Sequence, residues 1–139
     1  MSNFETVVQK AIYSKLANDV PLNLVIVGVF DDYPQLTDPG DESNYPFVSV
    51  GEDSHVTIDT DTELTNRVSI TVHTWSRYQG RAETKQIQGL IYDALHRANL
   101  TAVGYKFITI TQESSLSEVD ADGLTRHGVQ TFDLMIEEL

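Results

Sequence analysis

A chain of 139 residues with 40% hydrophobic content suits one domain, 1–139, with a core of its own, and argues against disorder. Its 21 acidic residues outweigh 9 basic ones, giving a formal net charge of -12, which argues against a surface that grips nucleic acid by neutralising phosphates. With no cysteine, disulfide frameworks and thiolate metal sites are excluded, which suits a reducing compartment.

The first residues lack the basic stretch and apolar run of a signal peptide. The longest apolar run, residues 24–30, falls far short of the roughly 20 residues that span a bilayer. The expectation is a soluble protein with no membrane contact. Phe4, Val7, Val8, Ala11, Ile12 and Leu16 recur on one helical face, so a first helix is expected over residues 3–18. Ser2 or Asn3 caps its start, and the 18–21 stretch with Pro21 ends it. Its apolar stripe has to pack on a sheet. Residues 22–30 are apolar and β-branched, which fits a strand or a short helical turn; the β-branched end favours a short strand at 27–30. Residues 31–45, rich in Asp, Pro and Gly, read as a long loop of the kind often functional or mobile.

Phe47 to Glu52 alternates and reads as a strand with Val48 and Val50 on one face. Residues 55–63 are polar and acidic, so a long hairpin with a mobile tip joins this strand to the next. Interleaved threonines permit the strands to extend beyond the core. Val68, Ile70 and Val72 alternate with Ser69, Thr71 and His73, a half-buried strand. After the polar break at Ser76 to Gly80, the positions Ile87, Leu90, Ile91, Ala94, Leu95 and Ala98 mark an amphipathic helix over 81–98. Asn99 and Gly104 stop it. Tyr105 to Thr111 alternates as a strand, residues 112–123 read as a polar loop, and 129–137 closes the chain as a strand with Phe132, Leu134 and Ile136 on one face. The predicted fold is α+β, in the order α-β-β-β-α-β-β. Its sheet is mostly antiparallel, with two helices packed on one face.

Charge is unevenly placed. No Lys or Arg lies between Lys15 and Arg67, an interval that holds eleven Asp and Glu, among them Asp31, Asp32, Asp59, Asp61 and Glu63. Basic residues gather at Arg67, Arg77, Arg81 and Lys85. One explanation is solubility; the other is complementary faces that meet between copies of the chain. The histidines His55, His73, His96 and His127 stand at no metal-ligand spacing from one another, so structural or surface roles are expected. His73 points opposite to Val72, toward a subunit contact or toward water. Paired carboxylates such as Asp31-Asp32 and Asp59-x-Asp61 have the chemistry to bind a cation, but Asp59-Thr60-Asp61 lacks the glycine and distant glutamate of a calcium loop and reads as a solvated acidic loop. Nucleophile-elbow and phosphate-loop patterns are absent, and no nucleophile stands with a base and an orienting partner. No metal, cofactor or catalytic residue is expected.

The most distinctive string is Trp75-Ser76-Arg77-Tyr78-Gln79-Gly80-Arg81-Ala82-Glu83. It serves as a strand exit and helix start, with Glu83 near the positive helix end. Aromatics beside arginines at an exposed turn are also typical of interface anchors.

Four segments together resemble the tail-completion, or tail-terminator, proteins of long-tailed bacteriophages. They are the first helix with Asp19-Val20-Pro21-Leu22, the Pro46 to Glu52 strand, the Val72 to Gly80 string leading to Asp93-Ala94-Leu95-His96, and Asp122 to Val129 leading into the last strand. Their order spans nearly the whole chain. The resemblance implies a structural virion protein of the tail and neck that assembles in the bacterial host cytoplasm. It would form a homo-hexameric ring from monomers, terminate the tail tube, bind the major tail tube protein and the head–tail connector protein, and let DNA pass without specific binding. Under this reading Trp75, Arg77, Tyr78, Arg81, Arg67 and His73 are expected at an oligomer or partner interface. The acidic Asp31, Asp32, Asp59, Asp61 and Glu63 are expected on loops or facing the channel. The competing class is a small protein-binding accessory module without enzymatic activity; a metal-dependent hydrolase built on His73 or Asp59 stands third.

Overall fold

The computed structural model describes residues 3–31, 43–59 and 64–139. Helix α1 runs Phe4–Ala17 and buries Phe4, Val8, Ile12 and Leu16, the expected stripe. The Asn3 side chain accepts from Thr6 N at 3.1 Å, satisfying one of the free amides of the first turn. A one-turn helix, α2 (Val20–Asn23), follows where the apolar pattern left strand and helix open. Asp19 caps it by accepting from Leu22 N at 3.1 Å, and Pro21 fits its first turn, where a missing N–H costs nothing.

Strand β1 (Val29–Phe30) is shorter than the pattern suggested and pairs parallel with β2 (Phe47–Asp59). Strand β3 (Leu64–Ser76) returns antiparallel to β2, so the long hairpin extends as the threonines allowed. Helix α3 (Ala82–Leu95) buries Ile87, Ile91, Ala94 and Leu95. A two-residue strand, β4 (Thr101–Ala102), leads to β5 (Tyr105–Val119) and β6 (Arg126–Glu138). The six strands form one mostly antiparallel sheet in the order β1-β2-β3-β6-β5-β4.

The stretch expected as a polar loop at 112–123 is mostly strand: β5 continues to Val119 and only the residues after it turn. Its sequence hid it because residues 112–118 are nearly all polar, and a register shift at Gln112/Ser114, following an earlier one at Phe107/Thr109, flips the alternation of faces. Its outer edge is also protected from further pairing. Arg97 N donates to Ile110 O at 2.9 Å, Gln112 N donates to His96 Nδ1 at 3.1 Å, and Gln88 Nε2 donates to Leu116 O at 2.8 Å.

The core lies between the sheet and the two long helices. It joins the α1 and α3 stripes to Val48, Val50, Val68, Ile70, Val72, Ile110, Phe132, Leu134 and Ile136. Under the first half of α3 the packing turns polar, with Thr74, Ser76, Thr84, Gln88 and Gln130 buried. Gly128 makes this possible. A Cβ there would stand 2.5 Å from Gln88 Nε2 and 2.9 Å from Gln88 Cδ, so only glycine lets the helix settle with Gln88 in place.

Candidate functional site

Strand alternation sends the other half of the side chains to the outer face of the sheet, opposite α1 and α3. On β3 these are Arg67, Ser69, Thr71, His73 and Trp75, with Arg77 just beyond its end; on β6 they include His127, Val129, Thr131 and Asp133. The register sets Trp75 beside His127 and Ser69 beside Asp133. The face is therefore a row of directional contacts.

At one end of the row, Arg67 Nη2 lies 2.8 Å from Asp133 Oδ2, and Ser69 Oγ donates to Asp133 Oδ1 at 2.5 Å. Burial pushes the Asp133 carboxyl up. Hydrogen bonds from Ser69 and Arg67 more than offset this and leave it below the usual carboxylate range. At the other end lies an aromatic row. The indole of Trp75 stacks on His127 with centroids 3.9 Å apart and planes 7° apart, and its Nε1 donates to Ser49 Oγ at 3.1 Å. Phe47 is buried against Trp75, Tyr45 and Phe30. His73 is only 9% exposed, so it neither faces water nor stands free: Nδ1 lies 2.6 Å from His127 Nε2, and Nε2 lies 3.1 Å from Glu52 Oε1. Sequence spacing kept these histidines apart; the β3–β6 register brings them together. A shallow pocket of about 200 Å³ opens here, lined by Asp31, Ser49, Glu52, His73, Trp75 and His127 among others.

The elbow from Trp75 to Glu83 divides in two. Ser76 is fully buried; its hydroxyl donates to Glu83 Oε1 at 2.7 Å and accepts from Tyr78 N at 3.1 Å, which fixes the turn from strand to helix. The Arg77 side chain is turned inward. Its Nε donates to Thr125 Oγ1 at 2.8 Å, its guanidinium sits 4.5 Å over the Tyr45 ring, and Nη2 is 3.8 Å from Asp122. Asp122 in turn accepts from Leu124 N and Thr125 N, both at 2.8 Å, and from Thr125 Oγ1 at 2.6 Å. The Thr125 hydroxyl, these two amides and Arg77 hold its carboxyl down at about 2. Arg77 is thus a clamp between the β5–β6 turn and the elbow. Tyr78, 56% exposed, and Arg81 are exposed on the elbow, as is Gln79 between them.

Of the acidic residues singled out in the sequence, Asp31 is exposed beside the outer-face pocket and Asp59 ends β2. Asp32, Asp61 and Glu63 lie outside the described residues. Sequence reasoning missed Glu52, His127, Asp122 and Thr125 as partners. For Asp122, Thr125 and His127 the only signal was the compact string Asp122 to Val129 before the last strand, and for Glu52 its place at the end of the alternating Phe47 to Glu52 run; which residues they meet follows from register. A wider groove of about 780 Å³ runs between α1 and residues 99–103, lined by Lys10, Lys15, Val20 and Val103 among others. Among the described residues, no group of three His, Asp or Glu stands where it could hold a metal ion.

This is a small α+β chain whose outer sheet face is knit by stacking rings and cross-strand pairs. The family described as tail completion protein gp17 matches residues 10–137, and the chain belongs to that family of structural phage tail proteins. It is similar to tail completion protein gp17 of Bacillus phage SPP1, at 26% identity over 121 residues, covering 87% of this chain and 85% of that protein. Its fold is similar to that of a chain in the virion of a native gene transfer agent particle, with a TM-score of 0.84 and 18% identity over 97% of this chain and 99% of the other. The structure of bacteriophage SPP1 gp17 shares the fold at a TM-score of 0.59 and 24% identity, covering 93% of this chain and 88% of that one.

Proposed function

We propose that copies of this chain close a ring, six-fold in the reading its family suggests, on the end of the phage tail tube. The ring stops tube growth and joins the tail to the head connector, without catalysis. The observation that carries this is the one-sided sheet: the long helices cover one face, while the elbow sets exposed Tyr78 and Arg81 beside it. Head-to-tail contacts between identical copies need two different surfaces on each copy. The acidic stretch between residues 16 and 66 and the basic Arg81 supply the complementary charges. DNA carries one negative charge per about 1.7 Å of axis, so a chain with net charge -12 lets it slide without sticking.

Light scattering over a concentration series, with and without tube protein, tests the ring. The expected result is a mass several times the 15.5 kDa of one chain. A strict monomer throughout contradicts it. Arg81→Glu with Tyr78→Ala should lower the ring fraction while leaving the fold intact. Arg77→Glu should instead disturb folding, because its guanidinium is enclosed by Tyr45, Asp122 and Thr125.

A further inference from the structure

The four ring nitrogens of His73 and His127 lie on one line of contacts that crosses four strands. From β2, Glu52 Oε1 is 3.1 Å from His73 Nε2. His73 Nδ1 is 2.6 Å from His127 Nε2. His127 Nδ1 is 3.6 Å from Glu118 Oε1 on β5. Ionised carboxylates at both ends favour N–H on both outward nitrogens. Two neutral imidazoles have only two N–H groups between them. With both directed outward, the inner nitrogens would face each other as bare lone pairs at 2.6 Å. One additional proton between them turns that clash into a charge-assisted hydrogen bond. A fourth proton has nowhere to go, because N–H would then point at N–H.

The surroundings fit a single positive charge. The groups that face the pair are carboxylates: Glu52 from β2, Glu118 from β5, and Asp120 from the turn after it, with Asp31 after β1 lining the same pocket. Of the cations on this side, Arg67 is paired with Asp133, and Arg77, just past the end of β3, is tied to Asp122 and Thr125. Burial, and next the charge on His73, push the His127 imidazole below its ordinary value, with Glu118, Asp120 and Glu52 pulling the other way. The Trp75 indole, stacked on His127, fixes the plane of the ring.

We propose that His73 and His127 form a one-proton clasp on the outer face of the sheet: the pair holds a single shared proton, and a second proton forces the rings apart and loosens Trp75 from its stack. The clasp makes this face responsive to mild acid. Burial and the charge on His73 disfavour the further proton on His127, so stability falls as pH drops through the lower step of the pair, while the contribution of the shared proton is lost as pH rises through the upper step.

Trp75 is the sole tryptophan, so its fluorescence reports directly on the stack. An NMR titration of the imidazole nitrogens in the full chain, with chelator present, follows the protons themselves. His73 and His127 should share two steps separated by more than about one pH unit, the mark of a coupled pair. The Trp75 emission should change with the lower step. In His73→Asn, His127 should titrate in one step, shifted upward toward the ordinary value. Two coincident single curves for His73 and His127 would overturn the proposal, as would a His127 titration unmoved in His73→Asn. If that variant does not fold, the separation of the two steps in the natural chain decides the matter alone.

Discussion

On β6, Phe132, Leu134 and Ile136 are fully buried beneath the helices, while Thr131, Asp133 and Met135 between them are half-buried on the outer face. The same strand thus serves two kinds of surface. The covered face is held by non-directional burial, each enclosed aliphatic or aromatic side chain contributing about 1.5–3 kcal/mol. The outer face is held by contacts with direction: Ser69 and Arg67 on Asp133, Trp75 on His127, and His73 between His127 and Glu52. Directional contacts keep their geometry while half-exposed. That is what a surface needs if it is to stay ordered before a partner arrives and still offer recognisable chemistry to it.

The contrast is sharpest where a covered side chain is removed. Phe132→Ala should cost about 3–5 kcal/mol, read by urea unfolding, because it leaves a cavity in the core beside its cross-strand neighbour Ile70 that rigid strands cannot collapse. Gly128→Ala tests the polar seam between helix and sheet. The added methyl would displace Gln88 from Leu116 O, for a loss of about 1–3 kcal/mol. Adding Gln88→Ala should recover part of that loss, because the obstructing amide is then gone. An equal loss in the double variant would show that the helix backbone, not Gln88, sets the spacing. On the outer face, Ser69→Ala removes one hydrogen bond from Asp133 and should cost about 1 kcal/mol. A loss as large as that of Phe132→Ala would erase the distinction between the faces.

The smallest effect at neutral pH belongs to the β5–β6 turn, and it grows in acid. The Asp122 carboxyl is held at about 2 when folded, below its ordinary value of 3.8, so its contribution is present above that ordinary value and is lost as pH falls toward 2. Asp122→Asn should keep the local turn and flatten this part of the acid limb in a plot of Tm against pH. An unchanged acid limb would show that the carboxylate charge does not hold the Arg77 clamp.

The sequence by itself determined α1, the long β2–β3 hairpin, α3 and the apolar face of β6. Each repeats apolar residues with the period of its own backbone, so local geometry alone decides which side is buried. It also placed the Trp75 to Glu83 string at a strand-to-helix turn, and its charge distribution was visible without any coordinates. Tertiary structure alone decided the rest. Beyond Thr111 β5 reads as a loop because its residues are nearly all polar, and pairing with β6 is what keeps them extended. Arg77 and Arg81 look alike in the chain, yet one is enclosed against Tyr45 and Asp122 and the other projects outward. His73 and His127 lie 54 residues apart and meet only through the β3–β6 register. Register is a property of whole strands packed on a common core, and no spacing within a single segment encodes it.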